Sequence, residues 1–327
     1  MNYRILGKTG LRVSEIGFGC WAIGGPCDIG GIPMGWGPVD DGQSKDTICR
    51  ALELGVNFFD TADIYGFGHS ESILGEALLG RRDQAVIATK VGSVRLPDGS
   101  HTKDFSSRHI IHSCEQSLQR LRTDHLDLYQ LHNPPLEVLW KGDAREALET
   151  LKFQGKICHF GVSISHPTEG EEIIHRNFGS TLQVLFNVLN QRPAHGLFGL
   201  AREFHIGIIA RVPLASALLT GKIRSRNFHP QDNRKNFLTE RRLHDVLPRI
   251  DRYLDLCHAY RLPPVPVALR FVLEHQAVAS AIPGAKTEDQ VVENVSASDV
   301  KLPPLLLSLL RQEFRAYNFY LRYGVRV

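Results

Sequence analysis

The chain has little with which to staple itself. Its six cysteines (Cys20, Cys27, Cys49, Cys114, Cys158 and Cys257) are scattered over 327 residues with no CxxC pair, which excludes a disulfide framework and makes reduced thiols in a cytoplasmic setting the expectation. Long apolar runs are also missing. Nothing approaches the roughly 18 uninterrupted apolar residues of a membrane span, and the opening MNYRILGKTGLRVSEIG has no apolar signal core, so neither insertion nor export is expected. No charge dominates: 38 Lys+Arg against 35 Asp+Glu leave +3, and no basic run carries interleaved aromatics, which excludes a nucleic-acid partner. Metal-ligand spacing is scarce as well. His109 and His112 form an HxxH, but on a helical stretch away from strand ends, and no metal is expected.

What is present is a soluble-type composition, 43% hydrophobic and 22% charged, enough for a large core without staples. A hairpin-like segment around Tyr3–Leu11 precedes eight short apolar runs: SEIGFGC (14–20), NFFDTA (57–62), AVIATK (85–90), LDLYQLH (126–132), CHFGVSI (158–164), LQVLFN (182–187), GIIARVP (207–213) and ASAIPGA (279–285). Amphipathic stretches alternate with them. In the clearest, Ser70–Leu79, Ile73, Leu74, Ala77 and Leu78 follow helical spacing behind a serine that can cap the first turn. Eight near-continuous apolar strands alternating with helices predict an α/β chain, a (β/α)8 TIM barrel with an N-terminal β-hairpin cap, as a single domain over residues 1–327. Segment 221–250, rich in Arg, Asn and Asp, reads as a surface insertion. Gly17-Phe18-Gly19-Cys20-Trp21-Ala22 fits a GxGxxA dinucleotide fingerprint, but a Gly/Pro-rich loop follows where the motif needs a helix, so the open-sheet alternative is set aside.

In a parallel barrel the chemistry sits at the C-terminal strand ends. There the sequence supplies Asp60 with Tyr65, then Lys90, then His132, at the ends of strands two, three and four. Singly each has an ordinary explanation as a cap, a loop aromatic, a solvated strand end or a satisfied histidine. Together they form an acid that can be tuned. A lysine ammonium stabilises a phenolate, a carboxylate orients the lysine, and a histidine can position a substrate oxygen. With no strong nucleophile in the set, the chemistry implied is proton transfer to a carbonyl oxygen with hydride from a cofactor.

The segments NFFDTADIYG with ESILGEAL, IATK, LDLYQLHNP, GVS, PLASALLTGK and IPGAK followed by ENV together resemble the aldo-keto reductases, in order and over nearly the whole chain. The likeness is to a bacterial branch that also resembles voltage-gated potassium channel β subunits. The resemblance implies an NADPH-dependent carbonyl reductase (NADP+ as acceptor in reverse) with Tyr65 as general acid, Lys90 and Asp60 tuning it, and His132 orienting a small-molecule carbonyl. It also implies a dinucleotide held without a Rossmann fold: Ser163 and Gln183 at the nicotinamide, Pro213, Leu214, Gly221 and Lys222 over the pyrophosphate, and Gly284, Lys286, Gln290, Glu293 and Asn294 at the adenosine. Three positions depart from the family's common pattern. Ile164 replaces an asparagine, Arg211 an aromatic that stacks on the nicotinamide, and Gln290 an arginine at the adenine ribose, so a 2′-phosphate would rest on Lys286 and backbone donors. Trp21, Trp36, His69 and the tail aromatics Phe314, Tyr317, Phe319 and Tyr320 are candidates to wall the pocket. The alternative function is a nicotinamide-binding regulatory subunit that senses redox state. The sequence leaves a homo-oligomer open.

Overall fold

The computed structural model describes residues 1–96 and 98–322. Eight parallel strands form one sheet in sequence order: β1 (Phe18–Gly19), β2 (Phe58–Asp60), β3 (Val86–Val91), β4 (Leu126–His132), β5 (Ile157–Ser163), β6 (Thr181–Leu185), β7 (Gly207–Arg211) and β8 (Val278–Ile282). Each coincides with one of the eight apolar runs. The sheet closes where Gly17 N–H donates to Ala281 O at 2.8 Å and Gly19 N–H to Pro283 O at 3.0 Å. A Cβ on Gly19 would stand 2.8 Å from Ile282 O. The glycines of the apparent fingerprint therefore serve close strand approach at the seam of the barrel.

Eight helices follow the strands: α1 (Asp41–Glu53), α2 (His69–Ala77), α3 (Ser107–Leu121), α4 (Asp143–Phe153), α5 (Pro167–His175), α6 (Leu197–Glu203), α7 (Pro264–Leu273) and α8 (Glu288–Val295). Two cores result. One fills the space between sheet and helices. The other lies inside the barrel, where Phe58, Ala88, Leu128, Ile209 and Ala279 meet Leu6 and Val13 of the N-terminal hairpin. That hairpin pairs Tyr3–Ile5 with Arg12–Ser14, and burying its Leu6 and Val13 contributes about 1.5–3 kcal/mol each. Its tip needs glycine. Gly7 has φ +54, and a Cβ there would stand 2.2 Å from Gly207 N.

Two local expectations change. Ser70 lies inside α2, whose N-cap is the left-handed Gly68; the Ser70 hydroxyl instead donates to Cys20 O and pairs with Thr61 Oγ1. Segment 221–250 is only partly a loop, because a helix spans Glu240–Ala259, capped by Thr239 and passing through Pro248. Its Leu243, Val246, Ile250, Tyr253 and Leu256 are buried at helical spacing, and that packing outweighs the proline. Two antiparallel hairpins, Cys27–Ile29 with Ile32–Met34 and Ser93–Arg95 with His101–Lys103, decorate the loops after β1 and β3. No helix among the described residues is long and apolar enough to cross a membrane.

Candidate active site

The three strand-end residues Asp60, Lys90 and His132 come together at one mouth because β2, β3 and β4 are hydrogen-bonded neighbours. Tyr65 joins them from the turn that leads β2 into α2. Lys90, with no exposed surface, spends its three ammonium hydrogens on Asp60 Oδ2 at 2.6 Å, Thr61 O at 2.7 Å and Tyr65 Oη at 3.1 Å. Since the lysine donates to the phenol oxygen, the phenol's own hydrogen must point elsewhere. The other Asp60 oxygen accepts from Gln183 Nε2 at 2.7 Å and Gln130 Nε2 at 3.3 Å. The carboxylate is thus held on both oxygens, as a buried charge requires.

These contacts set the proton affinities. Burial pushes the Tyr65 phenol above its usual range, with the neighbouring Lys90 charge the largest opposing influence. Lys90 is raised despite burial, because Asp60 favours its charged form. The resting arrangement is therefore a protonated phenol beside an ammonium, with burial outweighing the phenolate stabilisation expected from the sequence. Such a donor keeps its proton until negative charge develops on an acceptor. His132 stands across the mouth, its ring 6.1 Å from that of Tyr65 at 79°. Burial and then the Lys90, Lys103 and Arg211 charges hold its imidazole well below the usual range, so it is neutral at physiological pH. Its Nδ1 is shielded from water with no hydrogen-bond partner.

Sequence reasoning missed two groups behind this set. Lys103, on the hairpin after β3, donates to the backbone oxygen of His132 at 2.9 Å. Asp63, two residues before Tyr65, has Oδ1 shielded and unpartnered; burial first, and the Glu71 charge second, push its carboxyl up to about 8. A strand-end scan could not find either, since one arrives on an inserted hairpin and the other on a turn. Asp63 carries a stability prediction. Its folded form retains a proton that the unfolded chain releases above about pH 4, so this group costs stability as pH rises from there toward 8. Asp63→Asn should flatten the fall by about 2 kcal/mol between about pH 6 and 8. Thermal midpoints measured across that window check it, and parallel curves for parent and variant would sink it.

The residues assigned to the cofactor by resemblance lie on β5, β6 and β7 and on the segments that follow β7 and β8. Ser163 ends β5 and donates to Asn133 Oδ1 at 3.2 Å. Gln183 has its amide nitrogen committed to Asp60. Arg211 ends β7 and donates to Ile164 O. The following loop, with Pro213 and Leu214, contains four left-handed residues that are not glycine, Val212, Ala215, Ser216 and Ala217. Such strain, on the order of 1 kcal/mol or more per residue, persists where surrounding structure imposes it, typically at ligand clamps. Gly221 is left-handed too, and Lys222 Nζ reaches Glu293 Oε2 at 3.8 Å. Thr287 caps α8 by accepting from Gln290 N–H, and Gln290 Oε1 accepts from Lys286 N–H. Asn294 is buried on α8. Gly284 lies against Trp36 and Ala22. Lys286 Nζ donates to Trp36 O and Pro38 O, which ties the loop after β1 to the end of β8.

Of the pocket candidates, Trp21 stands edge-on to Tyr65 at 4.8 Å. His69 does not face the mouth in the same way, since its two ring nitrogens bond Gly24 O and Asp41. Tyr317, Phe319 and Tyr320 are buried, and Tyr320 stands near Arg211 with its phenol raised by burial. Phe314 is core.

The geometry fits a dinucleotide: a phenol whose oxygen accepts from Lys90, a strained loop after β7, a capped helix start, and the lysines Lys222 and Lys286 on the segments after β7 and β8. The aldo/keto reductase family model matches residues 15–311. The chain is 31% identical over 322 residues to the NADH-specific methylglyoxal reductase of Escherichia coli, covering 94% of this chain and 96% of that one. It is 29% identical to a probable voltage-gated potassium channel β subunit of rice, covering 92% of each. The glycerol dehydrogenase structure from Gluconobacter oxydans superposes with a TM-score of 0.79 at 28% identity, covering 99% of this chain and 96% of that one.

Proposed function

This chain belongs to the aldo/keto reductase family of oxidoreductases, and from that premise we propose that it reduces an aldehyde or ketone to the alcohol, with NADPH as the hydride source and Tyr65 as the proton donor. The single observation that carries this reading is the Lys90 ammonium bonded at once to Asp60 and to the Tyr65 oxygen. A nicotinamide dinucleotide, held by Ser163, Gln183, the loop with Pro213 and Leu214, and the start of α8, would supply hydride to the carbonyl carbon. The chain's own residues do the rest. His132, neutral, orients the carbonyl oxygen beside the phenol. The Tyr65 hydroxyl gives its proton to that oxygen as charge develops there, and Lys90, fixed by Asp60, stabilises the phenolate left behind. Trp21 walls the pocket against the Tyr65 ring and keeps water from the transfer. Steady-state reduction across a panel of carbonyls tests the reading.

NADPH is favoured here because Lys286 stands just before the capped start of α8, where the first backbone N–H groups and a cation can meet a phosphate. The margin is moderate. Lys286 must exchange two carbonyl partners for the 2′-phosphate, and Glu288 and Asp289 in the first turn oppose an anion. NADPH should bind roughly five- to thirtyfold more tightly than NADH, toward the lower end. Lys286→Ala should narrow the gap mainly by weakening NADPH, and added salt should do the same. Fluorescence titration with both dinucleotides checks this. A ratio unchanged in the variant would show that Lys286 does not read the phosphate. A parent that prefers NADH would favour a second reading, for which the engaged Lys286 and the name of the Escherichia coli relative speak.

A further inference from the structure

We propose that the face of the barrel opposite the catalytic mouth carries a binding site for a borderline divalent cation such as zinc, with His125, Asp127 and Cys158 as its ligands. The three residues enter from the N-terminal ends of β4 and β5. There the register pairs Leu126 with Ile157 and Leu128 with His159, which sets Asp127 beside Cys158. Leu128 points into the barrel interior, so strand alternation turns Asp127 and its neighbour outward. One ring nitrogen of His125, one carboxylate oxygen of Asp127 and the Cys158 sulfur all lie within 4.8 Å of one another. A small side-chain adjustment brings such atoms onto one ion.

The surroundings hold two of the donors in fixed orientation. Asp127 Oδ2 accepts from Arg82 Nη2 at 2.7 Å and from Ile87 N–H at 2.8 Å, which pins the carboxylate and leaves Oδ1 as the metal ligand. Asp124 bonds His125 Nδ1 at 2.7 Å, leaving Nε2 for the ion in the way that carboxylates commonly orient ligating histidines. Cys158 is half-buried, and its thiol is raised by burial and by the Asp127 charge. It therefore binds metal by losing its proton to solvent as the metal–sulfur bond forms. Thiolate, imidazole and carboxylate together suit zinc or cobalt and not calcium or magnesium, and three protein ligands leave a fourth position for water. An open surface depression lined by Arg82, Leu118, Gln119, Arg122, Thr123 and Asp124 adjoins the site through Arg82 and Asp124, which bond Asp127 and His125. The Arg82 charge weakens attraction to a cation, so binding is moderate.

Because the ligands sit at the barrel end away from Tyr65, occupancy is expected to change stability and leave the chemistry alone. The test uses the whole chain with metal alone as probe. Zinc titration followed by calorimetry and thermal melting should show about one equivalent bound and a midpoint raised by a few degrees, more at higher pH. Cys158→Ser and His125→Gln should each abolish that equivalent while melting like the parent without metal. Cobalt in place of zinc should give a thiolate-to-metal charge-transfer band in the parent that Cys158→Ser removes. Zinc bound equally well by both variants, or a parent with no thiolate band, would overturn the site and reduce binding to adventitious surface histidines. Neither result depends on turnover, so the proposal stands or falls separately from the reductase reading.

Discussion

Tyr65→Phe is expected to lower kcat by about two to four orders of magnitude while cofactor affinity stays within about twofold. Among the described residues of the set, the phenol's hydrogen is the one placed to move to a carbonyl oxygen, because Lys90 donates to the same phenol oxygen and His132 is held neutral by burial and neighbouring cations. Phenylalanine keeps the ring and its edge contact with Trp21 and removes only the proton. An interaction lost only at the transition state lowers kcat and kcat/KM together and leaves ground-state binding alone. Melting curves and dinucleotide titration establish that the variant is folded and loaded. Near-normal turnover in that variant would remove Tyr65 from the mechanism.

Lys90→Met should do two things at once. It removes the charge that stabilises a Tyr65 phenolate, and turnover should fall as far as in Tyr65→Phe. It also strands Asp60, a residue only 2% exposed, and breaking one side of a buried ion pair costs about 3–5 kcal/mol. The two effects separate in the double variant Asp60→Asn, Lys90→Met. Gln183 and Gln130 already bond the Asp60 side chain, and a neutral amide there no longer needs a counter-charge. Stability should recover substantially while activity does not. A single variant as stable as the parent would mean that the Asp60–Lys90 pair does not hold the fold together. Recovery of turnover in the double variant would mean that Lys90 only fills space.

Strand periodicity made the barrel legible, since residues buried on both faces give apolar runs that turn signals bound cleanly. The polar residue closing each run then pointed to the mouth, which located Asp60, Lys90 and His132. Three things were not legible. Helix Glu240–Ala259 contains Pro248, and a local breaker hides a helix whose stability comes from tertiary packing. Lys103 and Asp63 act from an inserted hairpin and a turn, and no periodicity aims such residues. The Tyr65 proton affinity depends on how completely the fold encloses the phenol, and burial turned out to outweigh the lysine that sequence reasoning emphasised. The trio His125, Asp127 and Cys158 has no recognisable spacing because its third member comes from the next strand; only the β4–β5 register brings it in.

The most direct test of the central claim is a single-turnover experiment in which NADPH-loaded protein is mixed with aldehydes and ketones, cofactor fluorescence is followed, and the product is identified. The parent should oxidise the cofactor only when a carbonyl is present and yield the matching alcohol, and Tyr65→Phe, equally loaded, should do so orders of magnitude more slowly. A parent that binds the cofactor tightly and leaves it reduced in the presence of every carbonyl offered would contradict the account and leave the regulatory subunit as the function.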